Sequence, residues 1–183
     1  TAVVIKHTNP CGVAMGDTLA TAYKRAFQAD AISAFGGIVA LNRVIDAETA
    51  TELTETFLEC VVAPGCDQAA QTILQGQKNL RALILPDLVG EPACSIKTIA
   101  GGCLLQEADL SLEQPDQWQI VTQRQPTPAQ IEALCFAWKV VKHVKSNAIV
   151  IAQPEVTVGV GAGQMNRVGS VNIALEQAGD QVK

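Results

Sequence analysis

The sequence predicts a layered α/β domain, with helices packed on a mixed sheet, and three observations carry that reading. Short apolar runs rich in β-branched residues alternate with segments whose apolar positions recur at helical spacing. The helical segments open on capping residues and the strands end at Gly or Pro. With 48 % hydrophobic and 17 % charged residues, the 183-residue chain can fill one real core and still cover a sizeable interface.

Residues 2–6 (AVVIK) read as a strand buried on both faces, ending in a turn at Asn9-Pro10-Cys11-Gly12. Over 17–29, Leu19, Ala22, Tyr23, Ala26 and Phe27 recur at helical spacing behind a cap at Asp17 or Thr18. A Gly-Gly turn leads into a strand at 37–41, and Asp46 caps a helix over 47–58. Residues 60–64 form a short strand, Asp67 starts a short helix, and 80–86 is the next strand. Within 90–126 the best strand is 99–106, with a polar loop at 111–117. The clearest helix spans 128–145: Thr127 caps it, Pro128 suits its first position and Gln130 completes a capping box. Its expected buried stripe is Ile131, Leu134, Cys135, Trp138 and Val141. Strands at 147–153 and 156–163 are joined at Pro154-Glu155 as a hairpin, and a last helix covers 169–178.

Composition narrows the function. A net charge of −5 lacks the basic footprint of a general nucleic-acid binder. No apolar run reaches the roughly 18 residues that suggest a membrane span. The six cysteines include no CxxC pair and lie mostly in apolar runs, so they read as reduced, buried packing residues in a cytoplasmic protein.

Lys6-His7 stands out because the chain has only two histidines. A histidine at a strand mouth can serve as a general base, worth about 10²- to 10⁴-fold in rate. A neighbouring ammonium can stabilise developing negative charge. The bland alternative, a strand-end pair turned to solvent, is equally compatible with the pattern. Pro10-Cys11 resembles half of a zinc-deaminase signature, but Ala14 occupies the second cysteine position and no H-x-E occurs, which argues against a catalytic zinc. GVGAGQMNR (159–167) departs from a dinucleotide fingerprint in its third glycine; its glycines offer either close approach to a flat ligand or a tight turn. Lys139, Lys142 and His143 fit a solvated helix end.

Seven blocks then share one order with a known family: IKHTNPCGVA, DAISAFGGIVALNR, VVAPG, NLRAL, IAGGCLLQEAD, WKVVKHVKSNAIVIA and VGVGAGQMNRV. The chain resembles AICAR transformylase, the formyltransferase module of the bifunctional purine-biosynthesis enzyme that also carries IMP cyclohydrolase. KHTNPCG, AFGG and GAGQM-x-R are the specific motifs, and the likeness covers nearly the whole chain. It implies a cytidine-deaminase-like fold without zinc, and transfer of a formyl group from 10-formyltetrahydrofolate to the 5-amino group of AICAR.

By position, the resemblance makes His7 the proton acceptor and Lys6 the neighbouring stabiliser. Phe35 and Gly36 hold the AICAR base, Glu59 and Asn147 contact AICAR, and Arg167 and Val168 face the folate. It implies no tightly bound cofactor, and a homodimer with both protomers contributing to each site. The chain is expected to be a central piece of the transformylase module (residues 1–183), without the cyclohydrolase domain and with an incomplete pocket. The competing reading is a non-catalytic binding or dimerisation piece of the same fold.

Overall fold

The computed structural model describes residues 1–87, 94–111 and 115–182. In chain order its elements are β1 (Ala2–Lys6), β2 (Asn9–Ala14), α1 (Leu19–Ala29), α2 (Ala31–Ala34), β3 (Gly37–Leu41), α3 (Ala47–Thr54), β4 (Leu58–Ala63), α4 (Gln68–Leu74), β5 (Arg81–Ile84), β6 (Cys94–Ile99), β7 (Gly102–Glu107), α5 (Pro128–Val141), β8 (Ile149–Gln153), β9 (Val156–Gly161) and α6 (Arg167–Ala178). Seven strands form one mixed sheet in the order β5-β4-β3-β1-β2-β9-β8. β3, β4 and β5 run parallel, which requires crossovers, and α3 and α4 supply them. β1, β2, β9 and β8 pair antiparallel through two hairpins.

The expected α/β layering is present. One core joins Val4, Val39 and Val61 of the sheet to Leu19, Tyr23 and Ala26 of α1, Leu53 of α3 and Leu74 of α4. On the opposite face, Val3, Val13, Val150 and Val160 meet Phe136, Val140 and Val144 from α5 and the turn that follows it. Helices therefore lie on both sides of the sheet.

Close approach of helix to sheet depends on three glycines. A Cβ at Gly12 would lie 1.9 Å from the Ala26 carbonyl oxygen of α1. At Gly159 and Gly161 it would lie 2.1 and 1.9 Å from the carbonyls of Ala174 and Ser170 in α6. The small residues Ala26, Ser170 and Ala174 let two helix backbones settle onto strand backbone. The glycines of GVGAG thus meet a helix at Gly159 and Gly161, not a flat ligand.

Several sequence expectations need correction. β1 is buried fully on one face only: Ala2 and Val4 are covered by helices, while Val3 and Ile5 are half-buried. The turn is not at 9–12. Asn9 pairs with Lys6 and opens β2, and the two-residue turn is His7-Thr8. Pro10 is accommodated within β2 because the register slips there, with Ile5 opposite Pro10 and Val4 opposite Gly12, so Cys11 is the extra bulged residue.

The helix expected over 47–58 ends at Thr54, and β4 begins two residues earlier than expected because Leu58 is buried opposite Gly37. The strand at 99–106 is in fact a hairpin: β6 and β7 pair antiparallel about Gly101, whose φ of 81° suits glycine. Residues 88–93 and 112–114, which include part of the expected 111–117 loop, lie outside the described residues.

The capping box of α5 forms as the sequence predicts. Its expected buried stripe does not, since Leu134 and Trp138 are 50 % and 51 % exposed. Phe136, Val140 and Val144, four residues apart, face the sheet instead, and Trp138 packs edge-on against Trp118. A helix apolar all round gives its sequence no way to choose a face.

Gly12→Ala is expected to destabilise the chain by about 2–3 kcal/mol, because backbone atoms must move to admit the methyl group. Gly102→Ala, with open space around it, serves as the control and should stay within about 0.5 kcal/mol. Urea unfolding of the two variants checks the contrast; equal stability would contradict the packing account.

Candidate functional site

The β1–β2 turn holds the candidate base. His7 and Thr8 have φ of 47° and 66°, so both central residues occupy the left-handed region demanded by a two-residue hairpin with a type I′ turn. Asn-Gly is the usual solution, and a β-branched threonine there is a genuine outlier. Each non-glycine residue in that region costs about 1–2 kcal/mol. The Thr8 hydroxyl donates to the His7 carbonyl at 2.6 Å, and both side chains are exposed.

The pair that closes this turn holds it from both sides. Lys6 Nζ donates to the carbonyls of Phe35 (2.7 Å) and Gly36 (3.1 Å), at the entrance to β3. Asn9 Oδ1 accepts from the backbone N–H of Lys145 (2.9 Å), in the loop leading to β8. The turn is thus tied to two loops that lie on opposite sides of it along the sheet.

On the Lys6 side, Gly36 adopts φ 65° and its N–H donates to the Phe57 carbonyl at 2.8 Å. The rings of Phe35 and Phe57 lie 5.6 Å apart and tilted, 60 % and 41 % exposed, an apolar surface suited to a flat ring. Glu59 is the extra residue where β4 slips against β3, with Gly37 opposite Leu58 and Ile38 opposite Cys60. Its carboxylate accepts from Arg81 at 2.8 Å. Glu59 therefore shares the end of the sheet with His7, but its charge is engaged by β5.

On the Asn9 side, Asn147 is bound three times. Its backbone N–H and its Nδ2 both donate to the Gln164 carbonyl (3.2 and 2.8 Å), and its own carbonyl accepts from Ser170 Oγ (2.6 Å). The Gly163 N–H donates to the Lys145 carbonyl at 2.7 Å. Arg167 and Val168 open α6 two residues earlier than expected, because Asn166 caps the helix by accepting from Gly169 N. Both are exposed and lie within one helical turn of Ser170.

Strand directions explain the gathering. β1 ends, and β2, β3, β4 and β8 begin, at the same end of the sheet, where β9 also ends. Lys6, His7, Phe35, Gly36, Glu59, Asn147, Arg167 and Val168 all belong to that end. Sequence reading missed the residues that tie it together: Asn9, Phe57, Gln164 and Ser170. Only Asn9 and Gln164 sit inside quoted motifs, and none bears a charge to draw attention.

The cysteines are not buried as expected: Cys94 and Cys103, on the β6–β7 hairpin, are exposed and the other four are half-buried. Cys11 is a packing residue beside the site. Burial and the charge of Asp30 push its thiol up to about 11, and Sγ lies 3.5 Å from the Val4 carbonyl. Among the described residues no three of His, Cys, Asp and Glu gather as metal ligands. No described helix is long and apolar enough to cross a membrane. Lys139 and His143 line a cavity of about 660 Å³ between α5 and the open sheet face, together with Val3, Ile5, Thr8 and Phe136.

The comparison with known proteins decides the family. The model of the AICARFT/IMPCHase bienzyme matches residues 1–177. The chain belongs to this family. It is 63 % identical over 180 residues to the bifunctional purine biosynthesis protein PurH of Gloeothece citriformis, covering 98 % of this chain and 35 % of that protein. The PurH of Acaryochloris marina is 62 % identical over 183 residues, 100 % of this chain and 35 % of the relative. That of Nostoc sp. is 63 % identical over 182 residues, 100 % and 36 %. The chain thus spans about a third of the length of these curated relatives.

Two outcomes follow from this geometry. Thr8→Gly should raise stability by about 0.5–1 kcal/mol in urea unfolding, since glycine accepts positive φ without strain; a loss of stability would contradict the strained-turn description. Iodoacetamide at pH 8 should modify the exposed Cys94 well before Cys11, read by mass spectrometry. Early labelling of Cys11 would contradict its burial.

Proposed function

We propose that this chain is a part of the transformylase domain and carries central residues for transfer of a formyl group from 10-formyltetrahydrofolate to the 5-amino group of AICAR. The observation that carries this reading is the turn bearing His7, held between the Phe35-Gly36 loop and the Asn147 loop. The family match and the relatives' role in purine biosynthesis support it.

The chemistry suits the residues. The amine of an aminoimidazole carboxamide is a weak nucleophile, because its lone pair is delocalised into the ring. As its nitrogen attacks the formyl carbon, a proton must leave and the carbonyl oxygen gains charge. His7 takes that proton. Lys6 carries three N–H donors and commits two of them to the carbonyls of Phe35 and Gly36, leaving one for the oxyanion. Asn147 Nδ2 is turned to Gln164, so Oδ1 is the atom that accepts from the amine. Collapse breaks the bond to folate N10, which takes up the proton that His7 gives back, and releases the formamide and tetrahydrofolate. The Phe35–Phe57 surface receives the base, Glu59 contacts AICAR, and Arg167 and Val168 face the folate.

The same proposal includes a cytidine-deaminase-like architecture without zinc, a cytoplasmic location, 10-formyltetrahydrofolate as a co-substrate in place of a resident cofactor, and no nucleic-acid or membrane partner. It also includes a homodimer. Leu104 and Leu105 on the β6–β7 hairpin, 56 % and 68 % exposed, are apolar surface of the kind a second protomer covers.

His7→Ala in the longer parent protein should lower formyl transfer by about 10²- to 10⁴-fold, with its unfolding midpoint little changed. Activity within a few-fold of the parent's would refute the assigned role. AICAR and a folate analogue titrated against this chain are expected to bind; no binding at millimolar ligand would favour a non-catalytic dimerisation piece of the same fold.

A further inference from the structure

We propose that Asn9 is a positioning residue for formyl transfer, acting by fixing the His7 turn relative to Asn147; this rests on the proposed function. Lys6 and Asn9 face each other as the closing pair of the hairpin, with His7 and Thr8 between them. Lys6 ties the turn to the loop before β3, but among the described residues no bond from Lys6 reaches the Asn147 side. Among the described residues, the hydrogen bond that joins this turn to the 145–147 loop is Lys145 N–H to Asn9 Oδ1, at 2.9 Å.

Several features fit Asn9 to this task. The following Pro10 restricts Asn9 to extended backbone, so its side chain leaves the chain in a defined direction. The amide is half-buried and short, which leaves few rotamers. Its acceptor meets a backbone donor that is itself fixed, because the Lys145 carbonyl takes the Gly163 N–H and Asn147 is held by Gln164 and Ser170. The bond spans 136 residues of sequence to connect the two groups that must face one substrate nitrogen. A turn whose two central residues both sit at positive φ is strained, and it needs such a tie to keep one arrangement.

A purely structural asparagine would affect stability alone. A positioning residue must instead act through His7, and that can be measured in the longer parent protein. Asn9→Ala should lower kcat for formyl transfer by about 10- to 100-fold, the penalty of a small misplacement of a catalytic group. The KM for AICAR should stay within about threefold. Asn9→Asp, which keeps the Oδ1 acceptor, should restore kcat to within about threefold of the parent.

The decisive comparison is His7→Ala with His7→Ala/Asn9→Ala. If Asn9 works through His7, the double variant is no slower than the single one. Multiplying effects, an Asn9→Asp variant as slow as Asn9→Ala, or an Asn9→Ala variant within threefold of the parent would each overturn the proposal. Asn9→Leu keeps the volume without the acceptor and replaces the alanine variant if that one does not fold. If His7→Ala is active, the functional reading and this proposal both fall. If it is inactive while Asn9→Ala is normal, only this proposal falls.

Discussion

The site depends on one closing pair. Lys6 and Asn9 face each other across the first hairpin and send their side chains to different loops. Two left-handed residues between them cost about 2–4 kcal/mol together. A net hydrogen bond contributes about 0.5–1.5 kcal/mol, and one to a charged group about 1.5–3. The two bonds of Lys6 and the one of Asn9 are therefore of the size needed to offset the strain. Without them, a glycine-free turn would have little reason to hold a histidine still.

The pair works only because the sheet brings three loops to one end, and that follows from packing. Gly12, Gly159 and Gly161 let α1 and α6 settle onto β2 and β9, which sit next to each other. The position of α6 places Ser170 under Asn147, and its first residues beside the same loop. Bulges at Cys11 in β2 and Glu59 in β4 adjust the register of strands that begin at this end of the sheet. The core sets the stage, and the closing pair holds His7 at that end of the sheet.

Much of this was legible in the residues. Alternation of capped helices and β-branched runs gave the layers, because burial on a sheet and on a helix leave different periods. The cap signals of Asp46, Asp67 and Thr127 worked because a short side chain must satisfy free N–H groups. The motif around Lys6-His7 marked the end of the sheet where the candidate residues gather. The turn itself was misplaced, because Asn9-Pro10 is a strong local turn signal and the competing pairing of Lys6 with Asn9 is non-local information. The face of α5 was misassigned because its residues are apolar all round. Asn9 and Ser170 went unrecognised as ties because their partners are backbone atoms far away in sequence, and Gln164 because it accepts through its own backbone carbonyl.

The central claim is that His7 is held where it can reach the amine of a substrate resting between the Phe35-Gly36 and Asn147 loops. A crystal structure of the longer parent with AICAR bound tests it most directly. The account predicts the amine within about 2.6–3.2 Å of the His7 imidazole, with Lys6 Nζ still on the carbonyls of Phe35 and Gly36. AICAR seated with its amine out of reach of the His7 imidazole would contradict it.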